Sequence, residues 1–193
     1  MEEEKYKGYT IKISQDEDAE NPSEFNTDVG ITYMAGSRYI LGTEPVTDPA
    51  QWRVDKRLEL KQEDPRTRLD EVMIEYPVYA YIHGGVALAL SPFSCPWDSC
   101  QSGVIYISRK KAKEMFRKRG MSEEDFQARV KEFLEGYLRT FNQYISGEVY
   151  EYIIEDEDGE VVGGCCGFYG VDHEESGLME SARSEVDCME ESE

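Results

Sequence analysis

Residues 76–90, YPVYAYIHGGVALAL, form the most apolar run of the chain. Two strand-like segments, 78–82 and 86–90, flank His83-Gly84-Gly85, the pattern of a hairpin closed by a glycine turn. The run reads as the central hairpin of a sheet. A loop rich in proline and aromatics follows, SPFSCPWDSC over 91–100, and then 103–107, GVIYI, reads as another buried strand. Two prolines and two large aromatic rings predict a stiff loop at the end of the hairpin.

Further along, Ser108 is placed to cap a basic helix over 109–119 that Gly120 would end. Ser122-Glu123-Glu124-Asp125 has the form of a capping box. It opens a helix in which Phe126, Val130, Phe133, Leu134, Tyr137, Leu138 and Phe141 recur at spacings of three and four. Such a stripe is expected to pack on a sheet. After Gly147 the period changes: 149–154 and 161–162 flank Asp158-Gly159 as a second hairpin, and the glycines at 163, 164, 167 and 170 suggest bulges or close backbone approach. No phosphate-binding loop is spelled there, since no Lys-Ser or Lys-Thr pair follows the glycines.

Toward the N-terminus, 9–14 alternates as a half-buried strand and runs into the polar loop 15–22. Short strands are expected at 29–34 and 39–41. A charged helix is expected over 48–61, with Asp48 as cap and Pro49 in its first position. Strands, then helices, then strands point to an α+β fold: a mainly antiparallel sheet of about five to seven strands packed against one long amphipathic helix, with a short basic helix before it. The reading places a single domain over residues 1–182, with helix near 177–182, and an acidic tail over 183–193 that frays.

Charge bounds the function more tightly than any motif. The chain carries a net charge of -20 over 193 residues. Residues 148–193 hold sixteen acids against one base, Arg183, while 108–145 hold ten bases against six acids. An excess of this size repels nucleic acid and anionic membranes and attracts basic surfaces, including the grooves of proteins that bind nucleic acid. Aromatic residues make up 11% of the chain, too many for an acidic disordered segment. The N-terminus lacks the basic and apolar regions of an export signal, and no stretch approaches the ~18 apolar residues of a membrane span, so a cytosolic protein is expected.

The five cysteines, Cys95, Cys100, Cys165, Cys166 and Cys188, form no CxxC pair and are expected as reduced thiols, buried or idle. A zinc site drawn from Cys95, Cys100, Cys165 and a histidine would lack the paired ligand spacing of zinc modules. Neither 16–21 nor 156–160 completes a calcium loop, so no cofactor or metal is expected.

Three groups of residues carry the functional expectations. Asp16, Glu17, Asp18 and Glu20 in the first loop, with Glu155, Asp156, Glu157 and Asp158 at the second hairpin, are candidates to imitate phosphates and bind a basic partner. The alternative is a cysteine-dependent enzyme with Cys95 as nucleophile, His83 as base and Asp98 as orienting group, against the simpler reading that Cys95 packs beside Trp97. The third is the basic run Arg109, Lys110, Lys111, Lys113, Arg117, Lys118 and Arg119. The acidity of the rest of the chain argues against direct nucleic-acid binding there, and a contact with the acidic tail, within the chain or in a homodimer, fits better.

Several of these segments together resemble a family of small acidic proteins of bacteriophages and other mobile elements. They are Gln15-Asp16-Glu17-Asp18 with Asn21-Pro22, the His83-Gly84-Gly85 turn, the Pro92-Phe93-Ser94-Cys95-Pro96-Trp97-Asp98-Ser99 run, Gly103-Val104-Ile105-Tyr106-Ile107-Ser108 and Gly167-Phe168-Tyr169-Gly170. The resemblance spans about residues 9–182. This chain has Cys100 where the family pattern carries glycine and Cys166 where it carries tryptophan, which weighs further against a zinc site. The resemblance implies a mobile-element origin and carries no assigned activity. With the charge, it leads to an expected non-enzymatic inhibitor of host defence, anti-CRISPR or anti-restriction, that occupies the basic groove of a nuclease. A housekeeping interaction protein of a mobile element is the further alternative.

Overall fold

A computed structural model describes residues 2–95 and 97–191. Met1, Pro96, Ser192 and Glu193 lie outside the described residues, and with them one proline of the 91–100 loop and the end of the expected tail. The elements run β1 (Glu2–Tyr6), β2 (Tyr9–Gln15), α1 (Pro22–Phe25), β3 (Val29–Met34), β4 (Glu44–Val46), α2 (Pro49–Glu63), β5 (Met73–Ile82), β6 (Val86–Ala89), β7 (Ser99–Ser108), α3 (Arg109–Phe116), α4 (Glu123–Ile145), β8 (Val149–Glu155), β9 (Val161–Tyr169) and α5 (Leu178–Glu190). The class is α+β, as the alternation of strand and helix periods predicts.

The single sheet under one helix is corrected. The strands divide into a four-stranded sheet, β1-β2-β8-β9, and a five-stranded sheet, β4-β3-β7-β5-β6. All neighbours are antiparallel except β3 and β4. The chain correspondingly forms two compact units, one of residues 1–22 and 140–193, the other of residues 23–139. Local pattern could not reveal this, because β2 finds its partner β8 at the far end of the chain, with Thr10 opposite Glu155 and Gln15 opposite Tyr150.

In the first unit, α5 covers one face of the four-stranded sheet. Ile11, Ile13, Tyr152 and Ile154 meet Leu178, Met179, Ala182 and Val186 in a closed apolar core. Residues 183–190 are therefore helix, and Val186 is fully buried. The acidic composition of 183–193 hid an apolar stripe on one helical face. The Tyr152 hydroxyl donates to Glu185 at 2.8 Å, and Arg183 holds Glu4 and Glu174.

In the second unit, the 76–90 run does form the β5–β6 hairpin, but β6 ends at Ala89 and is the outer strand; β5 and β7 make the centre. The strand expected at 39–41 is absent from those positions, and β4 lies at Glu44–Val46 instead. Helix ends follow the capping chemistry. The Asp48 carboxylate accepts from the Ala50 and Gln51 amides, Ser108 Oγ from Lys111, and Ser122 Oγ from Asp125. Helix α3 stops at Phe116, short of Gly120, with Arg117 as its cap.

Helix α2 buries only Leu60. It is tied to β5 by charge: Arg53 and Arg57 both bond the Glu75 carboxylate, at 2.9 and 2.8 Å. Along α4 the expected stripe is real, with Phe126, Val130, Leu134, Tyr137, Leu138 and Phe141 buried. Phe133 is half-buried and its ring lies tilted against that of Phe116.

Candidate functional site

Charge follows the division into units. Residues 1–22 and 140–193 hold 23 acids and 4 bases, a net of -19, whereas 23–139 hold 18 acids and 17 bases, a net of -1. Nearly the whole excess therefore sits on one four-stranded sheet and its helix. Three of that unit's four bases are already ion-paired: Lys7 with Asp187 and Glu190, Lys12 with Glu155, and Arg183 with Glu4 and Glu174.

The β2–β8 register separates the two acidic loops. Residues 16–20 leave one end of the strand pair and 156–160 turn at the other. Five residue steps from Thr10 to Gln15 at about 3.4 Å each set them about 17 Å apart. The loops are two clusters at opposite ends of one sheet, and their carboxylates differ in what they can do. Asp16 accepts from the Asp18 and Gly167 amides, and Asp156 from the Asp158 and Glu160 amides, so both hold their own turns. Glu155 is bonded by Lys12 at 2.6 Å and its side chain is largely covered. Glu17, Asp18, Glu20, Glu157 and Asp158 are exposed, as is Glu160, which the sequence reading passed over. Which carboxylates a turn would consume depends on folded backbone geometry, so no sequence signal separated them beyond the Asp-x-Asp spacing itself.

The structure brings Cys95, His83 and Asp98 together around the carboxylate. Cys95 Sγ donates to Asp98 Oδ2 at 3.4 Å, and His83 Nδ1 lies 3.5 Å from the same oxygen. The loop is drawn back to the hairpin by the Ile82 amide, which donates to the Asp98 carbonyl, and by Phe93 against Tyr81. A reactive thiolate is favoured by a cationic neighbour, and here the thiol's partner is an anion. Trp97 does not pack beside Cys95; it is 93% exposed. On β9, loss of hydration and the charges of Asp16, Cys165 and Glu151 push the Cys166 thiol up.

The basic helix is used locally. Arg109 and Arg117 both pair with Glu123 at the start of α4, and Lys111 pairs with Asp28. Those pairs account for three of its cations. Among the described residues no group of three or more His, Cys, Asp or Glu side chains is arranged to hold a metal ion.

One constellation was not anticipated from the sequence. Tyr106 on β7 lies directly opposite Gly30 on β3, and its ring occupies the space a Gly30 side chain would take. The missing Cβ lets the ring cross β3, so that its hydroxyl donates to Glu44 on β4 at 2.7 Å. Lys56 reaches the same carboxylate at 3.3 Å, and the buried Trp52 Nε1 faces it without completing a well-aligned bond. Partial burial opposes ionisation of Glu44, but the Tyr106 hydroxyl, Trp52 and Lys56 outweigh it and hold the carboxyl below its ordinary range. A cavity of about 560 Å³ opens beside this cluster, lined by Asp28, Glu44, Lys56, Glu59, Glu63 and Tyr106 among others.

Tyr106→Phe tests what that hydroxyl contributes. Removing a hydrogen bond to a charged group costs about 1.5–3 kcal/mol. Urea unfolding at pH 7 should register that loss. Because the folded Glu44 titrates below the unfolded group, its contribution is present above the unfolded pKa of about 4.3 and disappears as pH falls through the folded value. The difference between wild type and Tyr106→Phe should therefore narrow at pH 3. An undiminished gap at that pH would assign the cost to packing.

Comparison with protein-family models, with curated proteins and with solved structures finds no match.

Proposed function

We propose that this chain works by binding: its acidic unit engages the basic, nucleic-acid-binding groove of another protein, as an anti-defence inhibitor of bacteriophage type acting in the host cytosol. The observation that carries the reading is the segregation of charge, -19 on one unit against -1 on the other. Acids placed for solubility alone would have no reason to be matched by bases in residues 23–139 and left unmatched in the other unit. A duplex presents one phosphate charge per ~1.7 Å of axis, and carboxylate clusters about 17 Å apart match about half a helical turn of ~34 Å. Such a surface gains most from steering toward Lys/Arg clefts, which raises association rates at low salt.

Neutralising Glu17, Asp18, Glu157, Asp158 and Glu160 tests this without touching Asp16 or Asp156, which hold the turns. Affinity capture from host lysate should retain a nucleic-acid-binding protein at low salt and release it to competing duplex DNA. The variant should bind that protein at least about tenfold more weakly. If no captured partner depends on these carboxylates, the reading is wrong.

A further inference from the structure

The sheets of this protein end in four outer strands among the described residues, and three are blunted. β1 is short and charged, reading EEEKY; β4 has three residues, one of them proline; β6 has four. Exposed sheet edges offer unpaired backbone groups to other chains, and charge, proline and brevity are the usual protections. β9 has none of these three, although its pairing with β8 is broken by two bulges, which are a further protection. It is nine residues long, VVGGCCGFY, without charge or proline, and it is mostly exposed, with Val161 at 61% and Val162 at 42%. Its only strand neighbour among the described residues is β8.

The surroundings of this edge are anionic. Glu157, Asp158 and Glu160 precede it, and the Asp16 carboxylate bonds the Gly167 amide near its far end. At Gly163, which is half-buried, the Glu185 carboxylate and the Met189 methyl from α5 crowd the place where a Cβ would sit, so an acid and an apolar group lie over the strand there. A side chain on an added strand beside Gly163 would lie near Glu185, whose carboxylate also accepts from Tyr152, and near Met189. Lysine or arginine there would be favoured, and an acid repelled.

We infer that β9 is a docking edge on which an extended, lysine- or arginine-bearing segment of a partner protein adds as a fifth strand. Backbone hydrogen bonds supply the affinity, and alternate basic side chains, one of them toward Glu185, supply the selectivity. A second copy of the chain fits this edge poorly, because pairing β9 with itself would bring two units of net charge -19 together. The inference rests on the acidic-binding reading above and adds to it where the partner's main chain lies.

The test uses the full chain and a labelled peptide as long as β9 that alternates lysine with valine. Fluorescence anisotropy at low salt should report binding, and amide exchange should slow within 161–168. The same peptide with its amides N-methylated keeps every charge but cannot pair, and it should bind about thirtyfold more weakly, the loss of two backbone hydrogen bonds. Glu185→Gln, which can still accept from Tyr152, should weaken the unmodified peptide about threefold, as expected for one charge pair. Equal binding of the two peptides would overturn the docking edge while leaving the acidic surface intact as a binding face. No binding of the unmodified peptide, or concentration-dependent dimerisation through β9, would overturn it as well; carboxylate-dependent capture decides separately whether the acidic reading stands.

Discussion

Ending the chain after Ala182 unfolds the acidic unit. The truncation leaves a helical remnant of residues 178–182, far too short to persist without its remaining turns. With α5 gone, Leu178, Met179, Ala182 and Val186 no longer close over Ile11, Ile13, Tyr152 and Ile154. Burial of a single large aliphatic side chain is worth about 1.5–3 kcal/mol, so losing this face approaches the 5–15 kcal/mol that stabilises a whole domain. Polar ties go too: the Tyr152 to Glu185 hydrogen bond and the Arg183 to Glu4 pair. Near-UV circular dichroism and amide exchange should show residues 9–15 and 149–155 unprotected in the truncated protein. Removing only residue 191 onward should leave both intact, and a stable fold ending at Ala182 would refute this account of α5.

Phe126→Ala is expected to cost about 3–5 kcal/mol, the range for deleting a large buried aromatic ring. Phe126 is fully buried at the start of α4, and the guanidinium groups of Arg109 and Arg117 lie over its ring, 5.6 and 5.2 Å from its centre. Both arginines are also held by Glu123. The ring thus organises the junction of α3 and α4, and alanine would leave a void beneath two cations that have lost their aromatic face. Phe126→Leu should recover more than half of the loss, since it restores volume without the π face. Denaturant unfolding of both variants measures the split. A cost below about 1 kcal/mol for the alanine variant would mean that the arginines collapse into the space at little expense.

Much of the secondary structure was legible before any coordinates. The Asp48, Ser108 and Ser122 caps, the α4 stripe and the Asp158-Gly159 turn depend on residues a few positions apart, and all are found. Failures came where a local pattern had two readings. The acidic 183–190 segment reads as a tail by composition and as a helix by spacing, and burial of Val186 decides for the helix. Residues 2–6, for which the sequence predicted no element, pair with β2 as an outer strand whose exposed position tolerates charge.

The candidate site divides in the same way. The number of carboxylates, their two loops and the nearness of Cys95, His83 and Asp98 along the chain were all visible in the residues. Their availability was not. Lys12 neutralises Glu155 across 143 residues, Asp16 is drawn to Gly167 across 151, and Tyr106 reaches Glu44 across 62. Helix caps and turns are local because their hydrogen bonds close within a few residues. Strand partnership, the parting of the charge into one acidic and one balanced unit, and the bare edge at β9 arise from contacts between distant segments. Those contacts are selected by burial and backbone pairing over the whole chain, and no window of sequence contains them.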